Sequence, residues 1–188
     1  MRIIVAVTGA SGSIYGWRLL EKLRASDGVE IHLVVSRSGE RTAHLELEKS
    51  VQDFRGLADC WYAVEDIGCR LASGSFPVAA MVVAPCSIAT MSSIAAGISS
   101  NLIVRAADVT LKERRRLVLM LRESPLHLGH LRSMTALAEM GAILAPPVPA
   151  FYTKPQTVSD IVEHSVDRVL DLIGLPQPDA RRWDGPAK

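Results

Sequence analysis

The stretch Ile3-Ile4-Val5-Ala6-Val7-Thr8-Gly9-Ala10-Ser11-Gly12-Ser13-Ile14-Tyr15-Gly16 decides the fold class of this chain. Its first five residues form an unbroken apolar run rich in β-branched side chains. Such a run suits a strand buried on both faces of a parallel sheet, whereas a strand with one wet face would alternate. Small residues then turn the chain sharply. From Ser13 to about Ala25, Trp17, Leu19, Leu20 and Leu23 recur at helical spacing, with Arg18, Glu21, Lys22 and Arg24 between them.

The same alternation continues outward. Glu30 to Ser36 reads as a second strand, Arg37 to Glu48 as a helix, and Ala79 to Ala84 as a third buried strand stopped by Pro85. Leu102 to Arg116 reads as helix, Leu117 to Leu121 as strand, His127 to Met140 as helix and Ala142 to Ala145 as strand before Pro146-Pro147-Val148-Pro149. A last helix spans about Val158 to Ile173, with Val162, Val166, Val169 and Leu170 on one face. Parallel strands need crossovers, and helices of this length supply them. The expectation is an α/β chain with a single doubly wound, mostly parallel, Rossmann-like sheet, its ligand at the strand C-terminal ends. One domain is expected over residues 1–175, followed by an extended Pro-rich tail over 176–188.

Composition narrows the partners. The 188 residues, 48% of them hydrophobic, suffice for one sizeable core. With 21 Lys+Arg against 20 Asp+Glu, the net charge of +1 offers no global field for nucleic acid or a membrane surface. Cys60, Cys69 and Cys86 form neither a CxxC pair nor a metal-type Cys/His spacing, which suits a reducing cytoplasm. No signal-peptide pattern opens the chain, and no apolar run approaches the roughly 20 residues needed to span a bilayer. A mean hydropathy of +0.20 fits either a homo-oligomer that buries apolar surface or an alanine- and leucine-rich core.

Several segments carry chemistry. The turn Thr8 to Gly16 places small residues and hydroxyls where a helix N-terminus presents free N–H groups, an arrangement that suits an anion. It lacks G-x-G-x-x-G, and the second strand ends in Ser36, with no acid there to hold a nicotinamide ribose. A mononucleotide such as FMN therefore fits better than a dinucleotide, although a tight turn wants glycine for steric reasons alone. Pro85-Cys86-Ser87-Ile88-Ala89-Thr90 follows a buried strand and offers either ligand hydroxyls or a plain helix cap with a buried thiol. Ser73-Gly74-Ser75 is a ligand loop or an ordinary one. Arg105, Asp108 and Lys112 share one helix face and can present cations to phosphate, while Arg114 to Arg116 read as a solvated basic end. Arg122-Glu123 pairs a cation with a carboxylate after a strand, either as a phosphate site with a proton donor or as a salt bridge.

In order along the chain these segments resemble the flavin prenyltransferases, the UbiX/Pad-type proteins formerly described as aromatic acid decarboxylase subunits. The resemblance runs through TGASG-x3-G (Thr8 to Gly16), SGSF (Ser73 to Phe76), PCS-x2-T (Pro85 to Thr90), RAADV-x-LKERR (Arg105 to Arg115) and RE-x-PL (Arg122 to Leu126). It continues through HL-x2-M (His130 to Met134), P-x-P-AFY-x2-P (Pro147 to Pro155) and RRW (Arg181 to Trp183). It implies FMN held by Gly9, Ala10, Ser11, Ser36, Ser87, Ile88, Ala89, Thr90 and Arg122. It implies prenyl monophosphate gripped by Arg105, Lys112, Glu123, Tyr152 and Arg168, with Trp183 beside the substrate and Tyr152 and Arg168 contributed across a subunit interface. Glu46 matches the family's active-site glutamate, with Glu48 as the competing assignment.

The implied reaction starts with loss of phosphate from dimethylallyl monophosphate, assisted by these cations, Lys112 among them, and by a proton from Glu123. Reduced FMN attacks through N5, and a second bond at C6 closes a ring, with Glu46 and Ser11 in proton transfer. No metal is implied, since fixed cations can stabilise the leaving phosphate. The resemblance further implies a homo-oligomer, a dodecamer, and delivery of prenylated FMN to a UbiD-type decarboxylase. Two other readings stay open here: an FMN-dependent cysteine decarboxylase of the same fold, and a non-catalytic flavin-carrying subunit.

Overall fold

The computed structural model describes residues 1–183 and 185; of the tail expected over 176–188, Asp184 and residues 186–188 lie outside the described residues. Its centre is a six-stranded parallel sheet of β1 (Arg2–Val7), β2 (Glu30–Val35), β3 (Cys60–Tyr62), β4 (Ala80–Cys86), β5 (Arg116–Leu121) and β6 (Ile143–Leu144). The strand order is β3-β2-β1-β4-β5-β6. The chain therefore winds outward from β1 to β3, returns to the middle at β4, and winds outward the other way. Between β1 and β4 lies the switch point, where the loops after neighbouring strands part to opposite faces and leave a crevice.

Strand alternation sorts the core into two layers. Ile3, Val5 and Val7 of β1 point to one face, where Leu19, Leu20 and Leu23 of α1 (Ser13–Arg24) pack with Val162, Val166, Val169 and Leu170 of α7 (Val158–Leu172). Ile4 and Ala6 point to the other, against Met91 and Ile94 of α4 (Ile88–Ala95) and Leu102, Ile103, Ala106 and Ala107 of α5 (Leu102–Lys112). Each Val, Leu, Ile or Met among them removed from water contributes about 1.5–3 kcal/mol. Closeness matters as much as area. A Cβ on Gly16 would stand 2.3 Å from the Ala84 carbonyl oxygen, so glycine is what lets α1 lie against β4.

The remaining helices are α2 (Arg37–Leu47), α3 (Val51–Arg55) and α6 (Leu128–Glu139). Two expectations are corrected, and two elements are added. Pro85 does not stop the third predicted strand: β4 runs on to Cys86, with the ladder irregular between Val83 and Cys86, because proline has no N–H to donate there. The helix expected to reach Arg116 ends at Lys112, since Arg114 turns left-handed at φ 56° and Arg116 opens β5. The edge strand β3 and the short α3 were not foreseen; three residues are too few to show a period, although the Ser50/Asp53 capping box of α3 is a legible local signal.

Beyond α7 the described tail holds no helix or strand and folds back. Arg182 Nη2 donates to Asp171 Oδ1 at 2.7 Å, and Arg181 Nη1 to the Thr153 carbonyl at 3.2 Å. Among the described residues, no helix is long and apolar enough to cross a membrane.

Candidate functional site

The loops leaving β2, β1, β4 and β5 are stitched together at the switch point. Ser36 N–H donates to the Val7 carbonyl at 3.0 Å, and Arg122 N–H to the Cys86 carbonyl at 3.2 Å. Buried Thr8 ties β1 to β4 twice: its hydroxyl donates to the Pro85 carbonyl and accepts from Ser87 N–H, both at 2.8 Å. Gly9, Ala10, Ser11, Ser36, Ser87, Ile88, Ala89, Thr90 and Arg122 therefore sit on four adjacent strand ends. The fold brings all nine together.

Three helix N-termini meet the same crevice. Ser36 caps α2, its hydroxyl accepting from Gly39 N–H at 3.0 Å, and Ser87 caps α4, accepting from Thr90 N–H at 3.3 Å while donating to the Thr90 hydroxyl at 3.1 Å. These serines are caps, as the plain local reading has it, and stand on the crevice as well. Helix α1 has Gly12 at its cap position, φ 105°, and no side-chain cap of its own. A carboxylate from α2 supplies one: Glu46 Oε2 accepts from the N–H groups of Gly12 and Ser13, each at 2.9 Å. Burial alone would push the Glu46 carboxyl up, but the Ser11 hydroxyl and these two N–H groups outweigh it and hold the acid below its ordinary range. Glu48 instead closes α2 at its far end with φ 55°. Of the two competing carboxylates, Glu46 is the one on the loop.

Sequence reasoning passed over three residues here. Thr8 is the stitch just described. Tyr15 stands over the turn, and a Cβ on Gly12 would lie 3.0 Å from its ring; burial raises its hydroxyl pKa while the positive charge of Arg122 opposes the rise. Ser13 is fully buried, yet its Oγ has no hydrogen-bond partner. A buried hydroxyl without a partner calls for a ligand or water. Together with the first-turn N–H groups that the caps leave over, those of Ile14, Ile88 and Ala89, and the guanidinium of Arg122, it fits a mononucleotide whose phosphate and ring edge both need donors. The one thiol at the site is quiet, because burial pushes Cys86 up to about 12.

The residues assigned to the prenyl phosphate do not gather in one chain. Glu123 directly follows Arg122 and bonds back to Ser124 N–H at 2.9 Å. Lys112 precedes the start of β5, whereas Glu123 lies past its end, so roughly 20 Å of strand separates them. Lys112 pairs with Glu113 beside Gly74, and Arg115 donates to the carbonyls of Gly74 and Phe76 at 2.7 and 2.9 Å. Arg105 pairs with Asp108 at 2.7 Å on α5. Arg168 and Tyr152 lie on the opposite face of the sheet, around α7: the Tyr152 hydroxyl meets His164 Nε2 at 3.0 Å, Trp183 stacks edgewise on Tyr152 at 5.6 Å, and Arg168 pairs with Asp171 at 2.8 Å. The sheet stands between these two groups of cations.

Comparison with known proteins agrees with this fold. The sequence profile described as Flavoprotein matches residues 1–170. The flavin prenyltransferase UbiX of Thauera aromatica is 54% identical over 98% of this chain and 95% of its own. A dodecameric FMN-dependent UbiX-like decarboxylase from Escherichia coli O157:H7 superimposes with a TM-score of 0.96 at 49% identity, over 98% of this chain and all of its own. The structure of AnUbiX (PadA1) in complex with FMN and dimethylallyl pyrophosphate also gives 0.96, at 45% identity over 99% of this chain and 98% of its own.

Proposed function

Because this chain belongs to the flavoprotein family and, within it, to the UbiX-type flavin prenyltransferases, we propose that it joins the dimethylallyl group of dimethylallyl monophosphate to N5 and C6 of reduced FMN. The observation that carries this reading is the convergence of three helix N-termini, the Ser36, Ser87 and Thr90 hydroxyls and Arg122 on one crevice with Glu46 at its mouth. Reduced FMN, when bound, supplies the nucleophile. The chain's own residues do the rest. Gly9 to Ser11 with Ile88 and Ala89 offer backbone N–H groups, Ser36, Ser87 and Thr90 line the crevice with hydroxyls, and Arg122 adds a positive charge, so the flavin is oriented without reorganisation of the site. Glu123, at the end of the same strand, donates a proton to the departing phosphate oxygen. Arg105, Lys112, Tyr152 and Arg168 neutralise that phosphate, with Trp183 at the edge. Glu46, held by the Gly12 and Ser13 N–H groups beside Ser11, takes the proton released when the second bond closes at C6.

The placement of these cations supports a homo-oligomeric enzyme, a dodecamer like the E. coli relative, in which each flavin crevice is completed by neighbouring chains. Residues 1–175 then form the flavin-binding domain with 176–188 as its tail, in the cytoplasm, and the prenylated FMN leaves for a UbiD-type decarboxylase. The test is anaerobic incubation of the protein with reduced FMN and either the monophosphate or the pyrophosphate, then mass spectrometry of the released flavin. A flavin heavier by one prenyl unit, formed with the monophosphate, is the expected result. Bound but unmodified FMN with both donors would return the chain to the cysteine-decarboxylase or carrier readings.

A further inference from the structure

A second cluster lies away from the flavin crevice, on the outer edge of the sheet. In the parallel pairing of β2 with β3, His32 stands opposite Cys60. Glu30, two residues before His32, shares its face. One ligand atom from each, a carboxylate oxygen, an imidazole nitrogen and a thiol sulfur, lies within 4.8 Å of the other two. Among the described residues, this is the group of His, Cys, Asp and Glu side chains close enough to share an ion.

The imidazole is what makes the cluster a site. His32 is 0% exposed. Its Nδ1 is engaged by the Tyr62 hydroxyl at 2.9 Å, which orients the ring. Its Nε2 is buried and makes no hydrogen bond; Glu30 Oε1 lies 3.1 Å away, but without the geometry of one. A buried nitrogen left without a partner costs free energy unless something else occupies it.

We propose that Glu30, His32 and Cys60 bind a divalent transition-metal cation, with zinc the best match. Mixed O, N and S donors suit a borderline-soft ion, and three protein ligands leave one position to water. Zinc bonds of about 2.0–2.3 Å need donors drawn closer than they now stand, a change that side-chain rotation on the half-buried Glu30 and Cys60 can make. Tyr62 plays the supporting part of a hydrogen-bond partner to the ligating imidazole. Arg2 holds the other carboxylate oxygen, Glu30 Oε2, at 2.8 Å and leaves Oε1 to the ion. Binding displaces the Cys60 thiol proton to solvent, and the thiolate and carboxylate then balance the ion's two charges. His32 lies four residues before Ser36, about 13 Å along the strand, so the ion would clip the edge strand β3 to β2 and take no part at the flavin.

Cobalt(II), added to metal-stripped protein, reports sulfur ligation through its thiolate charge-transfer absorption. The expected result is one ion per chain with that band, absent in Cys60→Ser, and an affinity about 10-fold weaker in Tyr62→Phe. A variant-free measurement accompanies it: zinc should protect Cys60, and not Cys69, from alkylation in the unmodified protein, mapped by mass spectrometry. No cobalt band, a band of equal strength in Cys60→Ser, or Cys60 alkylated equally fast with and without zinc would each overturn the proposal.

Discussion

The two halves of the proposed active site are built in opposite ways. The flavin half is contiguous: nine residues on four neighbouring strand ends, joined by backbone hydrogen bonds such as Ser36 N–H to Val7 and Arg122 N–H to Cys86. The phosphate half is dispersed, with Arg105 and Lys112 on the α5 face of the sheet and Tyr152 and Arg168 around α7 on the other. A parallel sheet gathers loops at one end without further help, because every strand points the same way. Nothing in that topology gathers side chains from the two outer faces. On the proposed reading, a second chain laid against the first brings them to the crevice.

The sharpest way to break this contrast is to disable the two halves in different chains. Lys112→Ala and Glu123→Gln should each lower the prenylation rate by about 10²–10³-fold while FMN binding persists. Mixed oligomers of the two should recover activity, measured as prenylated flavin by mass spectrometry, since some crevices then draw an intact Lys112 and an intact Glu123 from different chains. No recovery would place the clamp within one chain. A second test strikes the flavin half through its scaffold. In Gly16→Ala the new Cβ meets the Ala84 carbonyl at 2.3 Å, and a loss of about 2–3 kcal/mol in urea denaturation is expected, with FMN binding weakened in step.

Smaller effects resolve the caps. Ser87→Ala removes the acceptor for Thr90 N–H and should cost about 1 kcal/mol of stability, with a matching fall in FMN affinity by fluorescence titration and no change in oligomeric state. Glu46→Gln should cost about 0.5–1 kcal/mol at neutral pH by weakening the cap on α1. The sign of its pH dependence follows from the direction of the shift. The Glu46 carboxyl is held below its ordinary value of 4.5, so its contribution is present above that pH and is lost as pH falls through the folded-state value. The stability gap between the wild type and Glu46→Gln should therefore close on acidification, and a gap unchanged between pH 7 and pH 3 would remove Glu46 from the cap.

Much of the flavin half was legible beforehand, because it depends on local chemistry: an apolar run, a glycine turn, and serines at helix starts. The apolar run of β1, the turn at Gly12 and the caps Ser36 and Ser87 each follow from a few adjacent residues. Tyr15 and Ser13 were passed over because each looks like an ordinary helix residue until burial and the charge of Arg122 are known. Likewise Pro85 reads locally as a stop, and only the neighbours on both sides of β4 hold the strand through it.

The amino-acid order by itself determined the βα alternation, the parallel sheet and the anion-binding turns, since hydrophobic period, glycine and capping residues act over a few positions. Its ordered motifs also carried the likeness to flavin prenyltransferases. What only the tertiary structure decided was which distant residues meet. It set Glu46 in place of Glu48 on the N-terminus of α1, divided the cations proposed for the phosphate between two faces, and laid Cys60 opposite His32, a pairing that no Cys/His spacing announces. Those outcomes depend on strand order and register, which arise when the whole sheet assembles and leave no mark within any short window of sequence.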